Sequence, residues 1–284
     1  MIHSLALLLL ACTPDDPGTG DDTGTTGGEQ APERTPPAYS AGACPALEDG
    51  VIEDFATGDT RYRVKVVLPP DPQGAPLLFA WHWLGGSSGD IVRYMELDDL
   101  AEAEGAIVIA PDSDGSDYEW HFLDDPDGNP DLQLFDDLLS CAWEQHDVDM
   151  ERVHALGMSA GGLQTTYLTL YRAQWLASTA IFSGGTLDGM YETPAWPLPV
   201  LVTWGGAGDT YGSLSFDATS TYLSEQLQAD GSFVVECEHT LGHQIPDGAT
   251  TWAWRFLADH PYGVDPEPYV QDLPDDFPDY CRVP

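Results

Sequence analysis

The chain has 284 residues, enough to bury a full core, and carries 48 acidic against 9 basic side chains, a formal charge of −39 at pH 7. That balance excludes nucleic acid and other polyanions as partners, because each would approach a surface of like charge. A salt-rich environment and plain solubility both accommodate so acidic a surface, and the sequence does not choose between them.

The first twelve residues, MIHSLALLLLAC, hold an apolar run too short to span a bilayer. Leu9-Leu10-Ala11-Cys12 resembles the lipobox of a bacterial lipoprotein signal peptide. The resemblance implies a signal over residues 1–11, a lipid on Cys12, and an exported protein that meets a membrane only through that anchor. An ordinary secretory signal is the alternative, and it exports the chain as well. Residues 12–42 are rich in Thr, Gly, Asp and Pro and almost free of large apolar side chains, so they read as a disordered tether. The globular domain is expected over 43–284. Cys44, Cys141, Cys237 and Cys281 remain in it, an even number that suggests two disulfides with the pairing left open.

From residue 61 the chain alternates between two patterns. Short β-branched or apolar runs bounded by Gly, Pro or Asp predict strands at YRVKVVLPP, PLLFAWH, AIVIAPD, RVHALGMS, STAIFSG, PVLVTWGG and SFVVECE. Helical spacing predicts helices at IVRYMELDDLAEAEG, DLQLFDDLLSCAWEQHD, AGGLQTTYLTLYRAQW, FDATSTYLSEQLQADG and TWAWRFLADH. Alternation of this kind implies an α/β fold, a mostly parallel sheet with helices on both faces. The proline-rich stretch from about 261 reads as an irregular tail, tied down through Cys281.

Gly157-Met158-Ser159-Ala160-Gly161 stands where a predicted strand turns directly into a predicted helix. A turn that sharp forces its middle residue into a strained conformation and leaves no room for side chains beside it, which accounts for the glycines. It also aims the N–H groups of a helix start at any charge developing beside Ser159. In this context the pentapeptide resembles the nucleophile elbow of the α/β-hydrolase superfamily, where the chain order is Ser, then Asp or Glu, then His. Two residues downstream match that order: Asp209, in a Gly-rich turn after a strand, and His243, in a loop after the last predicted strand. A hydroxyl needs a base and the base needs an acid to orient it, so Ser159, His243 and Asp209 are the candidate triad. His239, four residues earlier, is the competing base.

The resemblance also implies an oxyanion hole made by the N–H of Ala160 and an N–H from the loop after PLLFAW. His82-Trp83-Leu84-Gly85-Gly86 is similar to the His-Gly-x-x-x segment of these enzymes and assigns the second donor to Leu84, with Trp83 standing where Gly is usual. Over residues 61 to about 260, the segments HWLGG, IVIAPDSDG, the elbow region, GGAGD and GHQIP resemble the exported esterases that include polyhydroxybutyrate depolymerases, feruloyl esterases and acetyl-xylan esterases. Such a resemblance implies hydrolysis of a small-molecule or polymer-end ester through an acyl-enzyme, without a cofactor or metal.

Only a short segment separates STAIFSG from PVLVTWGG, which leaves no space for a large lid. Trp83, Trp120, Trp196 and Tyr211 are candidate walls of the substrate cleft. Asp125 to Asp131 partly resembles a calcium loop, but Pro130 replaces its Gly and a Pro-Asp-Gly turn explains the same residues. A prolyl oligopeptidase-type peptidase and an inactive surface-binding protein with the same fold are the alternatives to an esterase.

Overall fold

A computed structural model of the chain describes residues 34–284, so the expected signal, Cys12 and most of the tether lie outside the described residues. The domain begins earlier than composition suggests. Arg34 donates to the Gln174 and Met150 carbonyls and lies over the Tyr262 ring at 3.6 Å. Ser40 donates twice to Asp137, at 2.8 Å from its N–H and 2.6 Å from its hydroxyl. Residues 34–42, expected in the tether, therefore lie against the domain; a few anchoring side chains outweigh a composition that is otherwise linker-like.

Two antiparallel strands come first, β1 (Gly50–Thr57) and β2 (Thr60–Val67), followed by β3 (Leu77–Trp81), α1 (Ser88–Tyr94), α2 (Leu97–Glu104) and β4 (Ile107–Pro111). The chain continues through α3 (Pro130–His146), β5 (Val153–Met158), α4 (Ala160–Tyr171), β6 (Ser178–Phe182) and β7 (Val200–Trp204). A small hairpin, β8 (Thr210–Tyr211) and β9 (Leu214–Ser215), precedes α5 (Phe216–Ala229), β10 (Val234–Glu238), α6 (Ala249–Asp259) and β11 (Cys281–Arg282). The large sheet runs in the order β1-β2-β4-β3-β5-β6-β7-β10-β11. From β4 to β10 every neighbouring pair is parallel, and both margins are antiparallel.

Strand alternation divides the core into two layers. In β3, Leu77, Phe79 and Trp81 pack with α3, α4 and α5, while Leu78 and Ala80 pack with α1, α2 and α6. Both sheet faces are covered, so the central strands are apolar at successive positions. All seven predicted strands form. The sequence segment 91–105, read as one helix, is two: Glu96 adopts a left-handed φ of 51° and separates α1 from α2. Cys44 pairs with Cys141, and Cys237 with Cys281, which ties the tail to β10 through β11. Residues 183–199, between β6 and β7, contain neither helix nor strand, so no helical cap is inserted there.

Candidate active site

Ser159 sits at the junction of β5 and α4 with φ 59° and ψ −118°, a positive φ that side chains rarely adopt. Its N–H donates to the Phe182 carbonyl at 2.9 Å, which pins the turn to β6. The flanking glycines are required by close approach. A Cβ on Gly161 would collide with the Trp81 carbonyl, and one on Gly157 would collide with the Gly161 carbonyl. Helix α4 can therefore press against the end of β3 only without those side chains.

Ser159 Oγ lies 2.8 Å from His243 Nε2, and His243 Nδ1 lies 2.6 Å from Asp209 Oδ1. Because a carboxylate only accepts, Nδ1 carries the proton and Nε2 is the acceptor for the Ser159 hydroxyl. Asp209 is fully buried at the end of the turn after β7. Burial by itself raises its pKa; hydrogen bonds from His243, the Gly205 N–H and the Ser183 hydroxyl outweigh that and hold it below the ordinary value of 3.8. The last two donors reach Oδ2 at 2.8 and 2.7 Å. The His243 ring stacks on Phe216 with centroids 4.6 Å apart, which fixes its plane.

His239 is buried, accepts from the Leu241 N–H through Nδ1 at 3.2 Å, and packs edge-on to Tyr280. Desolvation lowers its pKa, against the pull of Asp209, and among the described residues it makes no hydrogen bond to Ser159. Of the two candidate bases, the structure brings only His243 to the serine.

Leu84 and Ala160 both border the cavity beside Ser159, and neither N–H has an acceptor among the described residues. Ala160 opens α4, so its N–H is one of the free donors of a helix start. Trp83 has an ordinary backbone, and the left-handed position in that loop is Gly85 at φ 73°. The glycine expected at position 83 is therefore not required by this turn. Trp83 packs edge-on to Tyr94, 5.7 Å between centroids.

Solved structures share this architecture. The native crystal structure of sOPH superposes with a TM-score of 0.71 over 86% of this chain and 96% of its own, at 21% identity. An acetyl xylan esterase from Aspergillus awamori does so with a TM-score of 0.60 over 73% and 98%, at 14% identity. The chain has the α/β-hydrolase fold. No family model matches the sequence. Among curated relatives, the protein NocK of Nocardia uniformis subsp. tsuyamanensis, which carries an esterase name, is 30% identical over 55% of this chain and 47% of its own. An oxidized polyvinyl alcohol hydrolase from Pseudomonas sp is 26% identical over 52% and 51%. Feruloyl esterase B of Thermothelomyces thermophilus is 26% identical over 52% of each chain. The chain thus spans about half the length of the curated relatives it matches.

In this α/β-hydrolase fold two cavities meet at Ser159. The larger, about 480 Å³, is walled by apolar and tyrosyl side chains such as Phe122, Leu163, Tyr167, Leu187 and Met190. The smaller, about 260 Å³, is lined by Trp83, Tyr94, Met158, His243 and Ile245. Leu84 and Tyr211 border both. Two aromatic expectations need correction. Trp120 is only 2% exposed and lines neither cavity; its indole N–H donates to the His82 carbonyl at 2.9 Å and its ring packs on Trp81. Trp196 stacks on Tyr262, 5.0 Å between centroids, and lines neither cavity. Periodicity carries no information about which side of a loop an aromatic faces.

In the Asp125 to Asp131 stretch, Asn129 caps α3 by accepting from the Asp131 and Leu132 N–H groups, with Pro130 at the first helical position. Among the described residues no group of three or more His, Cys, Asp or Glu is arranged to hold a metal ion. Ser183, Gly205 and Phe216 are the site residues that sequence reasoning missed. Position at a strand end was an available signal for Ser183, which follows β6 beside the elbow strand.

Proposed function

We propose that the protein is a serine esterase that hydrolyses carboxylic esters through an acyl-enzyme on Ser159. The observation that carries this reading is the unbroken hydrogen-bonded path from the Ser159 hydroxyl through His243 to the buried Asp209, opening onto an apolar cavity. Ser159 Oγ attacks the ester carbonyl carbon while its proton passes to His243 Nε2. The oxygen that becomes negative accepts from the Leu84 and Ala160 N–H groups. Collapse expels the alcohol, which takes the proton from His243; a water then attacks the acyl carbon and gives its proton to His243, and as the bond to Ser159 Oγ breaks that oxygen takes the proton back and the acid is released. Asp209 remains ionised throughout and stabilises the imidazolium, a role its lowered pKa supports.

The leaving oxygen must lie against the imidazole that protonates it. His243 borders the smaller cavity and not the larger, so the alcohol part belongs to the smaller and the acyl part to the larger. The apolar walls of the larger cavity and the chain's acidity both favour an uncharged acyl group. The names of the relatives, which include hydrolases of oxidized polyvinyl alcohol and of feruloyl esters, support the hydrolase reading without choosing the ester. In assays of p-nitrophenyl acetate and butyrate, Ser159→Ala should reduce kcat by at least about a thousandfold. A variant with native turnover removes Ser159 as nucleophile and the reading with it.

Export follows from the same proposal. Two disulfides are suited to an oxidising compartment, and the Leu-Leu-Ala-Cys sequence supports a lipid on Cys12. Labelled palmitate should enter the full chain and be lost on Cys12→Ala; a soluble, unlabelled native product discards the anchor.

A further inference from the structure

The loop that carries Leu84 closes on itself through a single backbone hydrogen bond, from the Gly86 N–H to the Trp83 carbonyl at 2.9 Å, and takes the rest of its support from outside. It is gripped at two points by consecutive residues of a second loop, Glu119 and Trp120. Trp120 donates to the His82 carbonyl, as described above. The Gly85 N–H donates to Glu119 Oε1 at 2.8 Å, and the Ser113 hydroxyl donates to Glu119 Oε2. His82 completes the attachment: its Nδ1 faces the Trp83 carbonyl at 2.8 Å and its Nε2 accepts from the Ser113 N–H at 3.3 Å. Leu84 thus lies between two anchored neighbours, and the direction of its N–H is set by them.

Glu119 occupies a backbone position that does not suit it. Its φ is 69°, a left-handed conformation in which glycine would be unstrained. What glycine would lack is the carboxylate, which accepts the Gly85 N–H across the two loops through one oxygen and is itself held by the Ser113 hydroxyl of its own loop through the other. Residues with strained backbones persist where the surroundings over-determine them, and here the surroundings are the second donor loop of the site.

We propose that Glu119 is a positioning residue for ester hydrolysis, holding the Leu84 N–H in the direction of the developing oxyanion. The inference rests on the esterase reading and on Leu84 as an oxyanion donor. Its effect is exerted through Gly85, one peptide beyond the Leu84 amide, and not through contact with substrate. Because the donor acts on the transition state, loss of the grip lowers kcat and leaves KM nearly unchanged.

Three variants separate positioning from simple structural support. Glu119→Gly removes the carboxylate and relieves the strained φ, so it should keep the native melting temperature to within a few degrees while kcat falls at least tenfold and KM stays within threefold. Glu119→Ala should lose kcat similarly and also lose stability. Glu119→Gln retains an acceptor for the Gly85 N–H and should recover most of kcat. The rate at which a fluorophosphonate labels Ser159 should follow kcat across the three. A Glu119→Gly enzyme with native kcat and native labelling rate overturns the positioning role alone. A native chain that neither turns over esters nor takes the label overturns the esterase reading, and the role of Glu119 with it.

Discussion

Asp209 and Asp131 are both fully buried, yet their acidities move in opposite directions. Asp209 receives three hydrogen bonds and stays ionised. Asp131, in the first turn of α3, receives only the His121 N–H at 2.5 Å, and its Oδ1 has no partner among the described residues. Burial pushes its pKa up to about 7 from 3.8, the His121 hydrogen bond opposing. Between those two values the folded chain holds a proton that the unfolded chain releases, so this residue costs stability as pH rises from about 4 to about 7 and at a constant level above. Asp131→Asn keeps an acceptor for the His121 N–H and removes the titration. Its melting temperature should match the native protein near pH 4, exceed it increasingly up to about pH 7 and by a constant margin above, worth on the order of 4 kcal/mol. Equal destabilisation at every pH would show that the carboxylate is ionised and satisfied. Asp131 also matters to the site wall: the ring of His121 bridges Asp114 and Asp124, and the Asp124 carbonyl accepts from Tyr167, which lines the larger cavity.

At the scale of elements, what the sequence revealed were those features whose cause is local. The central strands are short apolar runs because both sheet faces are covered, and each was readable for that reason. The elbow was readable because Gly157 and Gly161 are demanded by collisions a few residues away in sequence or with the next strand in the sheet. β1, GVIEDFAT, escaped notice because an exposed margin strand with a register shift between Ile52 and Phe55 shows neither a clean alternation nor an apolar run. The break at Glu96 was hidden because apolar spacing continues across it. Side-chain direction was the least legible property: Trp83 and Tyr211 line the cavities, Trp120 props a loop from behind, and all three read alike in sequence. Glu119 could not have been found from the sequence, since the partner that matters to the site, Gly85, is 34 residues away and meets it only where two loops come together.

For the whole molecule, the two disulfides constrain different things. Cys44–Cys141 spans 97 residues and fastens the segment ahead of β1 to α3, so it encloses β1, β2, β3, β4 and the 82–86 loop within one covalent ring. Cys237–Cys281 spans 44 residues and holds the tail whose Tyr269 and Phe277 pack into the α6 layer. In the chain-entropy account both closures restrict the unfolded chain and each is worth about 2–4 kcal/mol, but their loss should look different. Without Cys44–Cys141 the segment ahead of β1 is still held by Leu47 in the core and by Ser40 on Asp137, so Cys44→Ala with Cys141→Ala should lower the melting temperature by roughly 5–15 °C in one cooperative transition. Without Cys237–Cys281 the tail can leave α6 by itself, and amides of residues 261–284 should exchange with solvent well before the rest of the chain. Reduction of the native protein should reproduce the sum of the two effects. A double variant at Cys44 and Cys141 that melts at the native temperature would mean the unfolded chain is already held compact there, and that an oxidising compartment matters to this fold only through its tail.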